Sequence, residues 1–339
     1  MVFSTASHPD LVTLRRALSA GTYVSGEQLA RTLGKSRTAV WKALGKLRAL
    51  GYGLEGSPRR GYRLGFVPDV PYPWELAALG IGSAGGATSL IGASLVYHPT
   101  VGSTNDVARA LAEEGCPEGT VVVADRQTRG RGRRGRQWLS PPGGLWFSVV
   151  LRPSLHPSRC GLMPLAAAVA VAQALEGLCR SPLSIKWPND VLLGGQKVCG
   201  ILAELSADHE TVRYVVLGVG INVDPPPLTG DPPPTGLRAH GCSSGRTAVL
   251  AAVLARLEAA YRDLHRQGPE WLVAEADRRL AWKGEPVRVD MGSTGIEGLL
   301  VGLERHSAAL LVRTGPGEPV RVWAGDVSLR PAERAAQPP

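Results

Sequence analysis

The spacing of apolar residues divides the chain into three parts, and the first part predicts three short helices. The first helix carries leucines at helical spacing, Leu11, Leu14 and Leu18. The second, Gly26 to Leu33, begins with a capping box at Ser25 and ends before Gly34. The third begins at the cap residue Ser36 and has one apolar stripe, formed by Val40, Leu44 and Leu47. Two short helices joined by a tight turn are typical of a helix-turn-helix.

A hairpin and a change of composition follow these helices. Tyr52 to Leu64 predicts a short hairpin, and its tip places Arg59 and Arg60 where a wing meets the DNA backbone or minor groove. Val67 to Pro73 is rich in proline, so we place a domain boundary near Val67. Residues 1–66 are therefore predicted to be a winged helix-turn-helix domain.

Strand and helix signals then alternate through residues 67–282. The predicted strands are Thr120 to Ala124, Leu145 to Leu151, Leu183 to Trp187, Gly200 to Leu205 and Arg213 to Val223. The predicted helices are Asn105 to Glu114, Leu162 to Leu178, Thr247 to Arg266 and Trp271 to Trp282. This alternation favours an α/β domain in which helices flank a mixed sheet.

Apolar residues alternate at period two in the last part of the chain, residues 283–331. The alternating pairs are Val287 and Val289, Leu299 and Val301, Leu310 and Val312, and Val320 and Val322. Four or five short strands predict a small β-barrel. The whole chain is thus predicted to be an α+β protein of several domains.

The positive charge of the chain is concentrated in its first part. The net charge is +9, and residues 1–66 contribute eleven basic against three acidic side chains. Such a patch is typical of a nucleic-acid module, although a solvated face used for protein contacts has the same composition. We expect Arg37 and Thr38 to contact bases, and the complete predicted DNA-binding set is Lys35, Ser36, Arg37, Thr38, Lys42, Lys46, Arg59 and Arg60.

The composition argues against a membrane or disulfide-rich protein. The longest apolar stretch, Leu162 to Leu175, contains a proline and is shorter than the roughly 20 residues of a membrane span, so we expect a core helix. The five cysteines are scattered and suggest neither a disulfide framework nor a zinc site. No leader pattern is apparent, and we expect a cytoplasmic protein without a membrane partner.

The sharpest local feature is a loop of alternating glycine and arginine, Gly130 to Arg136. Glycines let the backbone approach an anion, and guanidinium groups bind its oxygens, so the loop suits a polyphosphate. It lacks the Lys-Ser/Thr ending of a P-loop and the spacing of a dinucleotide fingerprint. An Arg/Gly-rich segment that binds RNA is the alternative, but a single copy between two strands favours an ordered active-site loop.

Three further motifs have ordinary structural explanations when each is taken alone. Ser103 to Asp106 can begin a helix with a capping box, and Lys186 to Asp190 can be a strand end followed by a turn. Gly218 to Asn222 is a glycine-interrupted strand, as expected where a ligand lies against the backbone.

The order of these motifs along the chain closely resembles the catalytic domain of biotin protein ligases. Ser-Thr-Asn, the Arg/Gly loop with Gln127 before it and Trp138 after it, Lys-Trp-Pro-Asn-Asp, the segment Lys197 to Leu202, and Gly-Val-Gly-Ile-Asn follow in the family's order. The first part similarly resembles the winged helix of the biotin repressor, notably in Ser25 to Leu29, Leu33 to Arg37 and Gly61 to Leu64. The resemblance runs from about Leu11 to Leu329.

The resemblance implies ATP and biotin as substrates and a biotinyl-adenylate intermediate. Biotin is then transferred to a lysine of a biotin carboxyl carrier protein, as of acetyl-CoA carboxylase. Catalysis is implied for Lys186, Arg131 and Arg133. The implied biotin-binding residues are Ser103, Thr104, Asn105, Gln127, Arg131, Gly132, Arg133, Lys186, Gly218 and Gly220. The implied ATP- and adenylate-binding residues are Arg131, Arg133, Arg136, Trp138, Lys186, Asn189 and Asn222. Asn189 and Asp190 are the expected Mg²⁺ ligands, and the general base for transfer is left open.

The family also implies a central domain like those of class II aminoacyl-tRNA synthetases and a C-terminal SH3-like barrel. Operator DNA is an expected partner, and the adenylate is expected to favour a homodimer whose two winged helices meet a two-part operator. Three alternatives remain open from the sequence. They are a ligand-sensing transcription factor without ligase activity, a lipoate ligase, and a ligase whose winged helix no longer binds DNA.

Overall fold

The computed structural model describes residues 2–4, 7–18, 21–82, 89–224, 232–291, 294–323 and 328–331. Its α-helices are α1 (Pro9–Ala17), α2 (Gly26–Leu33), α3 (Arg37–Ala49), α4 (Pro73–Ala78), α5 (Thr104–Glu113), α6 (Leu162–Glu176), α7 (Arg246–Gln267) and α8 (Glu270–Arg278). Its first strands are β1 (Phe3–Ser4), β2 (Gly53–Ser57), β3 (Gly61–Phe66), β4 (Leu95–Val101), β5 (Val121–Gln127), β6 (Leu145–Leu151), β7 (Leu183–Lys186) and β8 (Asp190–Leu193). The remaining strands are β9 (Gln196–Ala207), β10 (Val212–Ile221), β11 (Pro286–Met291), β12 (Thr294–Leu303), β13 (Leu310–Arg313), β14 (Val320–Val322) and β15 (Ser328–Pro331).

The winged helix forms as its caps predict. Ser25 Oγ accepts a hydrogen bond from the backbone of Gln28 at the start of α2, and Gly34 ends that helix in the left-handed region. Ser36 Oγ accepts from the backbone of Ala39 at the start of α3. The wing, β2 and β3, is closed by Gly61, where a Cβ atom would stand 2.1 Å from a backbone oxygen of the α1–α2 connection. The predicted helix-turn-helix is therefore confirmed.

An eight-stranded mixed sheet forms the central part, in the order β1-β4-β5-β6-β10-β9-β8-β7. Among the strands that the structure describes in this sheet, β4 and β5 are the one parallel pair. Helix α5 packs on one face of the sheet, while α6 contacts β7, β8, β9 and β10. The predicted mixed sheet is confirmed, although three of its strands, β1, β4 and β8, were not predicted. Strand β4 contains Pro99, which weakens a strand signal, and β8 has only four residues.

The central sheet also takes in the first residues of the predicted winged-helix segment. Phe3 pairs with Tyr97 across β1 and β4, and its ring packs edge-on against Tyr72 and Trp74. Burial of this aromatic group explains why so short a strand joins the sheet.

A buried carboxylate connects the winged helix to the segment that follows it. Glu75 in α4 is 4% exposed, and its Oε1 accepts hydrogen bonds from Arg15 Nε at 2.7 Å and from the Tyr52 hydroxyl at 2.6 Å. Trp74 Nε1 in turn donates to the Tyr52 oxygen at 2.6 Å. The pKa of Tyr52 is raised far above its ordinary value. Burial is the larger cause, and the neighbouring Glu75 charge is the next. The pair of Arg15 and Glu75 therefore links α1 to α4 inside the protein.

Helix α6 lies in the core, as its composition predicts. Helix α6 and the turn before it, Pro157–Glu176, are long and apolar enough to cross a membrane. However, 72% of the most apolar segment of this stretch is buried inside the protein. That burial is typical of a core helix of a folded domain.

The C-terminal part is a five-stranded antiparallel sheet in the order β14-β13-β12-β11-β15. Every predicted apolar pair lies on one of these strands. The sheet docks on the central part through Trp187, whose indole Nε1 donates to the Ala308 carbonyl at 3.0 Å. Trp187 directly follows β7, so the docking contact adjoins Lys186.

We expect the substitution Arg15→Ala to lower the free energy of unfolding by about 3 kcal/mol, because it leaves the Glu75 charge buried with one partner fewer. Arg31→Ala, which removes a solvent-exposed pair with Glu27, is the matched control and should leave the denaturation midpoint nearly unchanged. Urea unfolding followed by circular dichroism measures both variants. Equal midpoints for Arg15→Ala and Arg31→Ala would contradict the assigned role of the buried pair.

Candidate functional site

A cavity of about 500 Å³ opens beside the Arg/Gly loop, against β9 and β10. Its volume lies in the range of small-molecule sites. The cavity brings together every residue predicted for the central site, namely Ser103, Thr104, Asn105, Gln127, Arg131, Gly132, Arg133, Arg136, Trp138, Lys186, Asn189, Asp190, Gly218, Gly220 and Asn222. Residues that lie far apart in the sequence thus form one site.

One side of the cavity is a buried network of hydrogen bonds at the start of α5. Ser103 stands at the N-cap position but makes no capping side-chain bond, so the ordinary explanation of the Ser-Thr-Asn motif does not apply to it. Gln127 Oε1 accepts from the backbone of Thr104 at 2.8 Å. Ser148 Oγ donates to Asn105 Oδ1 over 2.6 Å and lies 2.7 Å from Thr104 Oγ1. These bonds fix the orientation of the Thr104 and Asn105 side chains.

Three polar atoms of the cavity lining are buried without a hydrogen-bond partner among the described residues. They are Asn105 Nδ2, Trp138 Nε1 and Asp190 Oδ1. Because a buried donor or acceptor without a partner is costly, such atoms are rare in folded proteins. Two donors and one acceptor in a single cavity indicate a polar ligand that completes them.

Glycines form a flat floor beneath these side chains. Gly218 and Gly220 lie on the same face of β10, and Gly200 of β9 pairs with Gly220. A Cβ atom would stand 2.2 Å from Asn105 Oδ1 if placed on Gly218, and 2.5 Å from Trp138 Nε1 if placed on Gly220. Any larger residue would therefore displace Asn105 or Trp138 from the cavity.

Arg131 is held by two carboxylates rather than directed at an open anion site. Its guanidinium makes two hydrogen bonds to Asp106, of 2.9 and 2.8 Å, and a third to Glu204 Oε1 at 3.1 Å. The hydrogen bond from Arg131 holds the pKa of the Asp106 carboxyl below its ordinary value. These contacts fasten the first arginine of the loop to α5 and β9.

Other cations of the site lie around the Lys-Trp-Pro-Asn-Asp turn between β7 and β8. Arg133 Nη1 donates to Asn189 Oδ1 at 3.0 Å, and Asn189 Nδ2 donates to the Ile201 carbonyl at 2.8 Å. Lys186 is 8% exposed, and its Nζ lies 5.8 Å from the centre of the Trp282 ring. Arg136 is exposed at the mouth of the cavity. The turn therefore brings a buried ammonium and a loop guanidinium to one wall.

The two predicted metal ligands are already engaged, at least in part. Both the oxygen and the nitrogen of the Asn189 side-chain amide already make hydrogen bonds. Asp190 Oδ2 pairs with Lys197 Nζ at 2.7 Å. Among the described residues, no group of three or more His, Cys, Asp and Glu side chains is arranged to hold a metal ion. Asp190 Oδ1 is the remaining oxygen that fits a Mg²⁺ ion brought in by a polyphosphate, which supplies most of its own ligands.

The winged helix presents a second site, a basic surface. All eight predicted DNA-binding residues are exposed. Lys35 pairs with Asp10 at 2.6 Å, and Ser36 caps α3. Arg60 stacks on the Tyr23 ring with its guanidinium carbon 4.2 Å from the ring centre. Arg37 and Thr38 lie at the exposed N-terminus of α3, the position at which helix-turn-helix proteins contact bases.

Fold and geometry together define a class of protein, in which a winged helix with a basic face is joined to a small-molecule site rich in cations. Residues 97–222 match the model of the biotin/lipoate A/B protein ligase family, and residues 12–63 match that of an HTH domain.

Relatives and solved structures agree with both matches. The chain is 40% identical to the bifunctional ligase/repressor BirA of Bacillus subtilis (strain 168) over 268 residues, which cover 76% of this chain and 81% of the relative. It is 30% identical to BirA of Escherichia coli (strain K12), over 94% and 96% of the two chains. A biotin protein ligase from Aquifex aeolicus, solved in complex with biotin and ATP, aligns with a TM-score of 0.62 and 34% identity over 70% of this chain and 99% of that one.

The chain belongs to the biotin/lipoate A/B protein ligase family, and its curated relatives include ligases that are also repressors. The resemblance inferred from the order of the motifs is confirmed.

Sequence reasoning did not single out several residues that shape the site. Ser148 is the one hydroxyl in the otherwise apolar strand β6, and that break in pattern was the available signal. Asp106 ends the Ser103 to Asp106 motif and Glu204 lies two residues after the Lys197 to Leu202 segment, but only the fold of α5 and β9 brings both to Arg131. Trp282 comes from the segment before the C-terminal sheet, and no pattern places it near Lys186.

We expect Asp106→Asn to speed tryptic cleavage in the Arg/Gly loop about fivefold, because the lost charge weakens the Arg131 contact by about 1 kcal/mol. Since the folded pKa of Asp106 is lowered, the wild-type contact should hold above pH ~4 and fail only as the pH falls through that lower value. Arg109→Ala is the control, because it removes the other partner of Asp106, at 3.2 Å, and leaves Arg131 in place. Cleavage of Asp106→Asn at the wild-type rate would contradict this role.

Proposed function

We propose that this protein is an ATP-dependent biotin protein ligase that also acts as a biotin-responsive transcriptional repressor. The observation that carries the proposal is the cavity, which collects every predicted ligand-binding residue of the central domain. Its relatives are named for these two activities, and the Aquifex relative was solved with biotin and ATP.

The first step joins biotin to AMP. A carboxylate oxygen of biotin attacks the α-phosphorus of ATP, a mixed anhydride bond forms, and the bond to the β-phosphate bridging oxygen breaks as pyrophosphate leaves. Both reactants are anions, so cations at the reacting centre are the main requirement. Lys186 and Arg133 supply them inside the cavity and Arg136 at its mouth. Arg131 has the different role of fastening the loop, because Asp106 and Glu204 already balance its charge.

Biotin is held by the polar network at the start of α5. The ureido oxygen accepts from Asn105 Nδ2, whose orientation Ser148 fixes, and Ser103, Thr104 and Gln127 complete the ring's hydrogen bonds. The floor at Gly218 and Gly220 gives the ligand room beside Trp138, which together with Asn222 contributes to the nucleotide part of the cavity.

Magnesium would enter with ATP and neutralise charge on its phosphates. Asp190 Oδ1 is the protein oxygen we assign to it, while Asn189 is assigned instead to positioning Arg133.

In the second step, the ε-amine of a lysine on a biotin carboxyl carrier protein attacks the carbonyl carbon of the adenylate. An amide bond forms and AMP leaves. The adenylate is a reactive anhydride, so the Arg/Gly loop must exclude water until the carrier arrives.

Repression follows from the winged helix. The adenylate-bound protein forms a homodimer whose two α3 helices meet a two-part operator. The five-stranded C-terminal sheet acts as an SH3-like domain, the central domain shares the architecture of class II aminoacyl-tRNA synthetases, and the protein works in the cytoplasm.

We expect Gly218→Ala to weaken biotin binding at least ~10-fold, because the new methyl group displaces Asn105 and leaves a buried ligand group without its partner. Gly177→Ala is the matched control, since a Cβ atom there meets nothing within 4 Å. Calorimetric titration measures both variants. Unchanged affinity for Gly218→Ala would exclude Asn105 from biotin binding.

Arg133→Ala should release the adenylate into solution, because the loop loses its contact with Asn189. Rapid filtration of enzyme loaded with labelled adenylate measures its lifetime. An adenylate lifetime equal to that of the wild type would rule out this role for the loop.

Biotinylation of a purified carrier protein tests the ligase activity. With ATP, Mg²⁺ and biotin, the carrier should gain one biotin, and a carrier whose target lysine is replaced by arginine should gain none. Protein that binds biotin but modifies neither carrier would favour a ligand sensor without ligase activity.

A further inference from the structure

The exposed face of α3 carries two features that the fold does not explain. Trp41 is 61% exposed, although indole rings are usually buried. Gly45 lies in the middle of the helix, and a Cβ atom there would meet nothing within 4 Å. Glycine inside a helix is less stable than alanine, so neither packing nor backbone conformation accounts for Gly45.

Both residues lie beside the predicted base-contact residues. Trp41 follows Arg37 by four positions and Thr38 by three, so its ring lies one turn along the same side of the helix. Gly45 comes one further turn on. The opposite face of α3 is buried through Val40, Ala43, Leu44 and Leu47.

The charge around this face selects the partner. The exposed side chains on α3 that carry charge are Arg37, Lys42, Lys46 and Arg48, and all are basic. A polyanion fits such a surface, whereas an apolar protein surface would leave these charges without partners.

We propose that Trp41 and Gly45 form a DNA-reading surface in which the Trp41 ring packs on thymine methyl groups and Gly45 lets the helix backbone approach the floor of the major groove. The thymine methyl is the apolar group that the major groove offers, and apolar side chains in recognition helices contact it. A side chain at position 45 would hold the helix away from the base edges. This inference rests on the DNA-binding part of the proposed function.

For Gly45→Ala, we expect stability and DNA affinity to change in opposite directions, whereas Trp41→Ala is tested through affinity alone. Gly45→Ala should raise the melting temperature of the winged helix, since alanine favours the helix, and still lower DNA affinity about fivefold or more. Trp41→Ala should lower affinity about tenfold, with Trp41→Phe recovering most of the loss. Neither change should alter the salt dependence of binding, because no phosphate contact is lost, whereas Lys46→Ala should reduce it.

The test uses full-length protein with biotin, ATP and Mg²⁺, and DNA duplexes that the wild type enriches from a random library. Affinities are measured for duplexes containing thymine and for the same duplexes with deoxyuridine, which lacks the methyl group. Deoxyuridine should weaken the wild type several-fold and leave Trp41→Ala unaffected. Trp323→Ala is the matched control, because Trp323, directly after β14, is 63% exposed and should not contribute to DNA binding.

Three results would overturn the proposal, and they are distinguishable. If Trp41→Ala binds as tightly as Trp323→Ala, or is weakened by deoxyuridine as much as the wild type, the ring does not read thymine. If Gly45→Ala binds like the wild type, the backbone does not approach the bases. If no duplex is enriched over random sequence, the DNA-binding part of the proposed function fails, and this surface fails with it.

Discussion

The flat strip of backbone at Gly218 and Gly220 is the constraint on which the rest of the site depends. Asn105 and Trp138 pack directly on these glycines, with the hypothetical Cβ atoms only 2.2 and 2.5 Å from their side chains. Strand β10 lies in the middle of the sheet between β6 and β9, so its position is fixed from both sides. The cavity thus exists because two side chains are missing on a strand that is paired on both sides.

The hydrogen-bonding groups of the cavity follow from that floor. Ser148 of the neighbouring strand β6 pairs with Gly218, and its hydroxyl orients Asn105 by a hydrogen bond to the side-chain oxygen. The cations come from elements that the sheet does not fix directly, namely the Arg/Gly loop and the turn after β7. Arg131 and its two carboxylates fasten the loop to α5 and β9, and Asn189 links Arg133 to the turn. The polar pocket is thereby joined to a cationic loop that is held in place by the contacts of Arg131 and Arg133.

Much of this arrangement could be predicted from the sequence, because local signals and motif order agree. The caps at Ser25 and Ser36 fix where the two helices of the helix-turn-helix begin, and the glycine spacing marks β10 as a ligand strand. What could not be predicted depends on long-range register. The pairing of Arg131 with Glu204 requires the alignment of β9, and the short strand β1 exists only because Phe3 is buried among aromatic residues from other segments. The motif marks Arg131 as a cation, and only the fold shows the two acids that pair with it.

The central claim is that the cavity joins biotin to AMP, and pyrophosphate exchange into ATP tests it most directly. The full-length protein would be assayed with Mg²⁺ and labelled pyrophosphate in the presence of biotin, lipoate or no acid. The account predicts exchange with biotin and none above background with lipoate or without acid. Exchange with lipoate but not with biotin, or no exchange from folded protein that binds biotin, would contradict it.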